Sequence, residues 1–252
     1  MTLVGVSLKM YFGFRETLDW CAAVADLAAT HPAVTAGAAQ LFVIPTAPAI
    51  PAAIEVFRGS RVQVGAQDVS THDVGAFTGD VSPRLLAELG CTYAEIGHAE
   101  RRQVHGETDE VAAAKVAAAL RNNLTPVLCI GETVPMPARA AAATCVRQLS
   151  AGLAAVGARG ERVVVAYEPV WAIGAAQPAP PDHIRAVCDV LREAAAADPS
   201  LPPVDVIYGG SARPGLLAEL GSSVDGLFLG RFAHDPAALR AVLDELEIRS
   251  PR

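Results

Sequence analysis

Aromatic residues make up only 5% of the 252 positions, so Ala, Val, Leu and Ile must supply most of the packing of any core. Lysine occurs twice, at Lys9 and Lys115, and no basic run offsets a formal net charge of −7. That argues against a nucleic-acid surface and leaves any bound anion to a local site. The five cysteines, Cys21, Cys91, Cys129, Cys145 and Cys188, form no C-x-x-C pair. Neither a disulfide framework nor a zinc cluster is suggested, and they read as reduced, mostly buried thiols of a cytoplasmic protein. The N-terminus "MTLVGVSLKM" lacks a basic region followed by a long apolar stretch, so it is not read as a signal peptide. The most apolar segment, "AQLFVIPTAPAIPAAI", is interrupted by Pro45, Pro48 and Pro51, which rules against a membrane-spanning helix. There is no G-x-x-x-x-G-K-[ST] and no dinucleotide glycine fingerprint.

What is present is a regular alternation. Short β-rich runs stand at "LVGVSL", "QLFVI", "RVQVGA", "YAEIG", "TPVLCI", "RVVVAY", "VDVIYG" and "DGLFLG". Between them lie helical patterns such as "DEVAAAKVAAALRNN" and "PDHIRAVCDVLREAAAA". Nearly continuous apolar strands, rather than alternating ones, are what a parallel sheet covered on both faces requires. Eight strands, each followed by a helix, predict a (β/α)₈ barrel spanning residues 1–252 as one domain. An open doubly wound sheet is the competing architecture, and the eightfold count argues against it.

In such a barrel the chemistry sits at the C-terminal ends of the strands. Lys9 follows the first strand, His98, Glu100 and Arg101 the fourth, Glu168 the sixth, "GGSA" the seventh, and Gly230 with Arg231 the eighth. Burial destabilises a carboxylate and so suits Glu168 to act as a base. His98 precedes "AERRQ", which can open a helix, and a helix N-terminus favours a neutral, hydrogen-bond-donating imidazole. Lys9 supplies charge for a developing oxyanion, and the glycine turns let backbone N–H groups approach a phosphate. Taken singly, each has a plain structural reading as an ion pair, a packed strand end or a turn. Their joint placement on one face favours a site. His98, His105, Glu100 and Glu107 do not match a metal-ligand spacing, so no metal is expected. His31, His72, His183 and His234 read as surface residues beside turns or caps.

With these residues in hand, the chain resembles the triosephosphate isomerase family over nearly its whole length. "AYEPVWAIG" resembles the family's catalytic-glutamate and lid segment, "GHAERR" its histidine motif, "LCIGET" its fifth-strand end and "YGGS" its seventh-strand phosphate turn. The resemblance implies that Glu168 moves a proton between adjacent carbons, His98 polarises the carbonyl, Lys9 stabilises the enediolate and Glu100 supports them. It implies a lid from Pro169 to Ala179, with Tyr208 and Ser211 as its latch. Gly174, Ser211 and Gly230 would bind phosphate, with Ser7 and Arg231 beside the substrate. It also implies no cofactor and a homodimer, in which "GAFTGDVSP" reaches a partner and Thr78 crosses to its site.

The chain departs from the family pattern at named places. Ser7, in "SLKM", stands where the family has asparagine, and Ala99 replaces the serine after the histidine. The lid ends in "AAQP", with Pro178 fixing φ near a hinge. Arg231 replaces a glycine of the eighth-strand phosphate turn. Its side chain either points to solvent or reshapes the pocket with an added cation. These changes resemble a branch of the family that isomerises erythrulose phosphate. The expected substrate is dihydroxyacetone phosphate, converted to glyceraldehyde 3-phosphate, with L-erythrulose 1-phosphate narrowly second. A non-catalytic sugar-phosphate-binding barrel is the alternative of another class. A Schiff-base aldolase would need a lysine inside a strand, and Lys115 lies in a predicted helix.

Overall fold

The computed structural model describes residues 1–156, 162–176 and 178–246. The first strand, β1 (Thr2–Ser7), leads to helix α1 (Phe14–Thr30) and a short α2 (Pro32–Thr35), and β2 (Ala39–Ile44) to α3 (Ile50–Val56). Then β3 (Gln63–Ala66) is followed by α4 (Pro83–Leu89), and β4 (Tyr93–Ile96) by α5 (Ala99–His105) and α6 (Asp109–Arg121). After β5 (Thr125–Ile130) comes α7 (Ala138–Gly152), and after β6 (Val163–Tyr167) comes α8 (Pro181–Ala197). The last units are β7 (Val204–Tyr208) with α9 (Leu216–Leu220), and β8 (Gly226–Leu229) with α10 (Pro236–Asp244). All strand pairs are parallel, and β8 pairs with β1 to close the barrel.

The elements follow from local chemistry. α8 carries Ile184, Val187, Cys188 and Leu191 on one buried stripe at helical spacing, and Pro181 sits in its first turn, where a missing N–H costs nothing. α4 begins with the Ser82 hydroxyl accepting from the Leu85 N–H and ends on Gly90 at φ +105°, a conformation glycine adopts without strain. The strands are buried on both faces. Their outward residues join the helices in the main core, while Leu3, Phe42, Tyr93, Val127, Val164, Ile207 and Phe228 fill the barrel interior. Three aromatics lie there: Phe42 stacks on Tyr93 at 4.2 Å and on Phe228 at 5.9 Å. They plug the barrel beneath its C-terminal mouth.

Among the described residues no helix is long and apolar enough to cross a membrane. All five cysteines are free and buried, and burial pushes the thiols of Cys21, Cys91 and Cys145 up to about 12. Of the four histidines expected at the surface, one is buried and two are half-buried. His31 is buried, accepting from the Ala33 N–H at Nδ1 and meeting Asp244 at 3.0 Å through Nε2. His183 is tucked against Tyr167 and Glu132, and His234 packs on Tyr11 and Phe12. Turn-flanking residues looked solvent-facing in the sequence, but segments distant in the chain cover them: α10 meets His31, the ends of β5 and β6 meet His183, and the loop after β1 meets His234. His72 is exposed and stacks on Phe77.

Candidate active site

The parallel register brings the strand ends together. Tyr167 pairs with Tyr208, so the next residues, Glu168 and Gly209, lie side by side. The Glu168 N–H donates to the Ile130 carbonyl at 2.8 Å, which sets the glutamate against Gly131 as well. Both neighbours must be glycine for steric reasons. A Cβ on Gly209 would come within 2.4 Å of Glu168 Oε1, and one on Gly131 within 2.0 Å of the Glu168 carbonyl oxygen. The glycines of "YGGS" and "LCIGET" therefore leave the room this carboxylate occupies.

Glu168 is 5% exposed, and its Oε2 is a buried acceptor with no hydrogen-bond partner. That oxygen lies 3.4 Å from His98 Nε2. His98 caps α5, its Nδ1 accepting from the Glu100 N–H at 3.1 Å. An Nδ1 that accepts a hydrogen bond carries no proton, so a neutral ring holds its hydrogen on Nε2, on the side of Glu168. Lys9 Nζ stands 3.3 Å from the same Nε2 and donates to Glu100 Oε1 at 2.7 Å. Burial works against the Lys9 charge, but the Glu100 hydrogen bond and the carboxylates of Glu168, Glu100 and Glu95 outweigh it and raise its pKa. Glu100 is half exposed; burial raises its pKa, and its bond and charge attraction to Lys9 more than reverse that.

Lys9 sits at φ +50°, in the left-handed region that a non-glycine residue enters only when held there. Gln67, beyond the end of β3, holds it by donating to the Lys9 carbonyl at 2.9 Å. Together an unpartnered carboxylate oxygen, an imidazole N–H and an ammonium converge on one small volume. That set can remove a proton from carbon while stabilising an adjacent oxyanion.

Around it lies a cavity of about 620 Å³, whose walls include Ser7, Glu95, Gly174, Ser211, Gly230 and Arg231. The segment over the mouth opens with a 3₁₀ turn at Val170–Ala172, and residue 177 within it lies outside the described residues. Several ties hold this segment. The Ser211 hydroxyl donates to the Ala172 carbonyl at 2.7 Å, and the Tyr208 hydroxyl accepts from the Ala179 N–H at 3.2 Å. Arg231 Nη2 donates to the Gly174 carbonyl at 3.2 Å. Of the two orientations open for Arg231, the side chain takes the one toward the pocket. Thr78 lies apart from this group, in an exposed loop.

Three further site residues were not singled out in the sequence. Glu132, in "LCIGET", is fully buried and accepts from Trp171 Nε1 at 2.8 Å and from the Tyr167 hydroxyl at 3.2 Å, anchoring the start of the lid segment. Gln67 positions Lys9, as described. Glu95, in "YAEIG", is 3% exposed and accepts from the Ser7 hydroxyl at 2.8 Å. Its signal is a carboxylate inside an apolar run, whereas Glu168 stands just beyond one.

The triosephosphate isomerase family model matches residues 2–246. A protein of Pectobacterium atrosepticum named L-erythrulose-1-phosphate isomerase is 51% identical over 96% of this chain and 94% of its own length. A triosephosphate isomerase of Thermus thermophilus is 40% identical over 90% of this chain and 92% of its own. An L-erythrulose-1-phosphate isomerase of Rhizobium etli is 40% identical over 91% and 86%. The match runs over nearly the whole of the described chain: this chain belongs to the triosephosphate isomerase family and is an isomerase.

Proposed function

We propose that the protein isomerises a small ketose phosphate through an enediolate, with Glu168 as the base. The observation that carries this is the unpartnered Glu168 Oε2, 3.4 Å from His98 Nε2. The carboxylate takes a proton from the carbon next to the carbonyl, exchanges it with solvent while the enediolate lasts, and delivers a proton to the former carbonyl carbon. His98 Nε2–H and the Lys9 ammonium hold the oxygen as it gains charge. Gly174, Ser211, Gly230 and Arg231 form the phosphate end of the pocket, and Glu100 keeps Lys9 in place. Tyr208 and Ser211 latch the lid.

For the substrate we favour L-erythrulose 1-phosphate. Support comes from the Pectobacterium relative, at 51% identity, against 40% for the Thermus triosephosphate isomerase. In this substrate C1 carries the phosphate, so the enediolate forms across C2 and C3. Moving the carbon-bound proton from C3 to C2 and the hydroxyl proton from the C3 oxygen to the C2 oxygen leaves the carbonyl at C3, which makes the reaction an exchange between two ketoses. Dihydroxyacetone phosphate is the second reading, because it presents the same phosphate-to-carbonyl spacing to the same three groups. Side-by-side kinetics with the two compounds test the choice. A preference of more than about tenfold in kcat/KM, about 1.4 kcal/mol at the transition state, is expected for the four-carbon substrate. The opposite preference overturns it.

We also read the protein as a cytoplasmic homodimer. Met10 at 90% exposure, with Tyr11, Phe14 and Phe77, presents apolar surface of the kind a subunit contact covers. In that reading the Thr78 loop reaches the partner.

A further inference from the structure

We infer that Glu95, held by Ser7, is the specificity-determining group that binds the terminal hydroxymethyl of a four-carbon substrate. The inference rests on the substrate reading above and adds the residues that carry it out.

The argument begins with strand parity. Side chains alternate along a strand, so Tyr93, which packs in the barrel interior, puts Glu95 on the inward face of β4. By the same count Ser7 faces inward on β1, two residues beyond Gly5, where a Cβ would run into the ring of Phe42. The two meet above the aromatic plug, and both line the cavity. Ser7 is the single hydrogen-bond partner of Glu95 among the described residues, and it engages only Oε2. A buried carboxyl with one oxygen unengaged on a cavity wall is costly unless something completes it.

The substrate's geometry says what completes it. The phosphate end belongs with Gly174, Ser211 and Arg231 at the mouth, and the reacting carbons with Glu168, His98 and Lys9. The carbon beyond them then points down toward Ser7 and Glu95. Dihydroxyacetone phosphate ends at the reacting carbon and leaves that space to water. L-erythrulose 1-phosphate carries a CH₂OH there, with one hydroxyl to donate and accept. Glu95 suits such a group in either protonation state. Burial pushes its pKa up to about 7, Glu168 adds to the rise and His98 opposes it, so near neutrality it can accept from or donate to a hydroxyl. A site built to bond a hydroxyl discriminates strongly, because its buried polar group stays unpaired with a substrate that lacks one.

The test is the ratio of kcat/KM for L-erythrulose 1-phosphate to that for dihydroxyacetone phosphate, in the wild type, Glu95→Leu and Ser7→Ala. Binding of 2-phosphoglycolate, which lacks the hydroxymethyl, reports an intact fold and phosphate site. The ratio is expected to fall by about 30-fold in Glu95→Leu and about tenfold in Ser7→Ala, the range of one hydrogen bond to an ionisable group. If Glu95→Leu does not fold, Ser7→Ala carries the test alone. A ratio within about threefold of the wild type in a folded variant overturns the assignment, since a merely structural role would depress both substrates together. A wild type that prefers dihydroxyacetone phosphate overturns the substrate reading instead, and the two failures are thereby separate.

Discussion

Glu168 Oε1 packs against the Cα of Gly209, close enough that a Cβ there would sit 2.4 Å from it. The residue after β7 thus limits the room of the carboxylate after β6, since the same Cβ would also come within 2.7 and 3.0 Å of the Cγ and Cδ atoms of that side chain. Gly209→Ala is expected to push the carboxylate off line. A displacement of about 1 Å costs on the order of 100-fold in rate. The variant should therefore lose about that factor in kcat/KM while unfolding within a few degrees of the wild type. Unchanged kinetics would mean that Glu168 does not need this position.

Glu95 gives a stability prediction with a definite sign. Its folded-state pKa is raised from 4.5 to about 7, so between those values the folded protein keeps a proton that the unfolded chain has released. The contribution is fully present below pH ~4.5 and is lost as pH rises through ~7, a difference of order 3 kcal/mol. Glu95→Gln removes the titration. The variant should resist denaturant better than the wild type at pH 8, with the gap closing toward pH 5. A constant gap across that range would place the cause elsewhere.

Arg231 ties β8's end to the lid segment through the Gly174 carbonyl and adds a cation to the cavity wall, at the end where phosphate is proposed to bind. Arg231→Gly is expected to raise KM by about tenfold, the size of one charge-assisted hydrogen bond, and to raise KM more than it lowers kcat. Steady-state kinetics at fixed ionic strength check this. An unchanged KM would show that the guanidinium serves the lid alone.

The barrel was legible in the sequence because it depends on a coarse signal. Eight apolar runs of the right length, such as "TPVLCI" over β5, survive any error of one residue at their ends. The convergence of Lys9, His98 and Glu168 was legible for a related reason, since each is a polar residue immediately beyond such a run. Glu95 was less visible because it lies inside its run, where "YAEIG" reads as strand throughout and the period-two parity decides which way it faces. Ser7 could be seen as a departure, but its partner is 88 residues away and only the β1 and β4 ends of a closed barrel bring them together. Gln67 and Glu132 act on Lys9 and Trp171 through contacts across loops, which no local pattern encodes. The histidines misread as surface, above all His31 against Asp244, fail for the same reason.

The most direct measurement of the central claim follows L-erythrulose 1-phosphate in D₂O by proton NMR, with the wild type and Glu168→Gln. A base that exchanges its proton with solvent puts deuterium on the product carbon that was the substrate's carbonyl carbon, C2 in substrate numbering, and removing the base slows turnover by about 10²- to 10⁴-fold. The account predicts deuterium at that former carbonyl carbon with the wild type and loss of both turnover and label with Glu168→Gln. Turnover at the wild-type rate in Glu168→Gln, or a wild-type product free of deuterium, would contradict it.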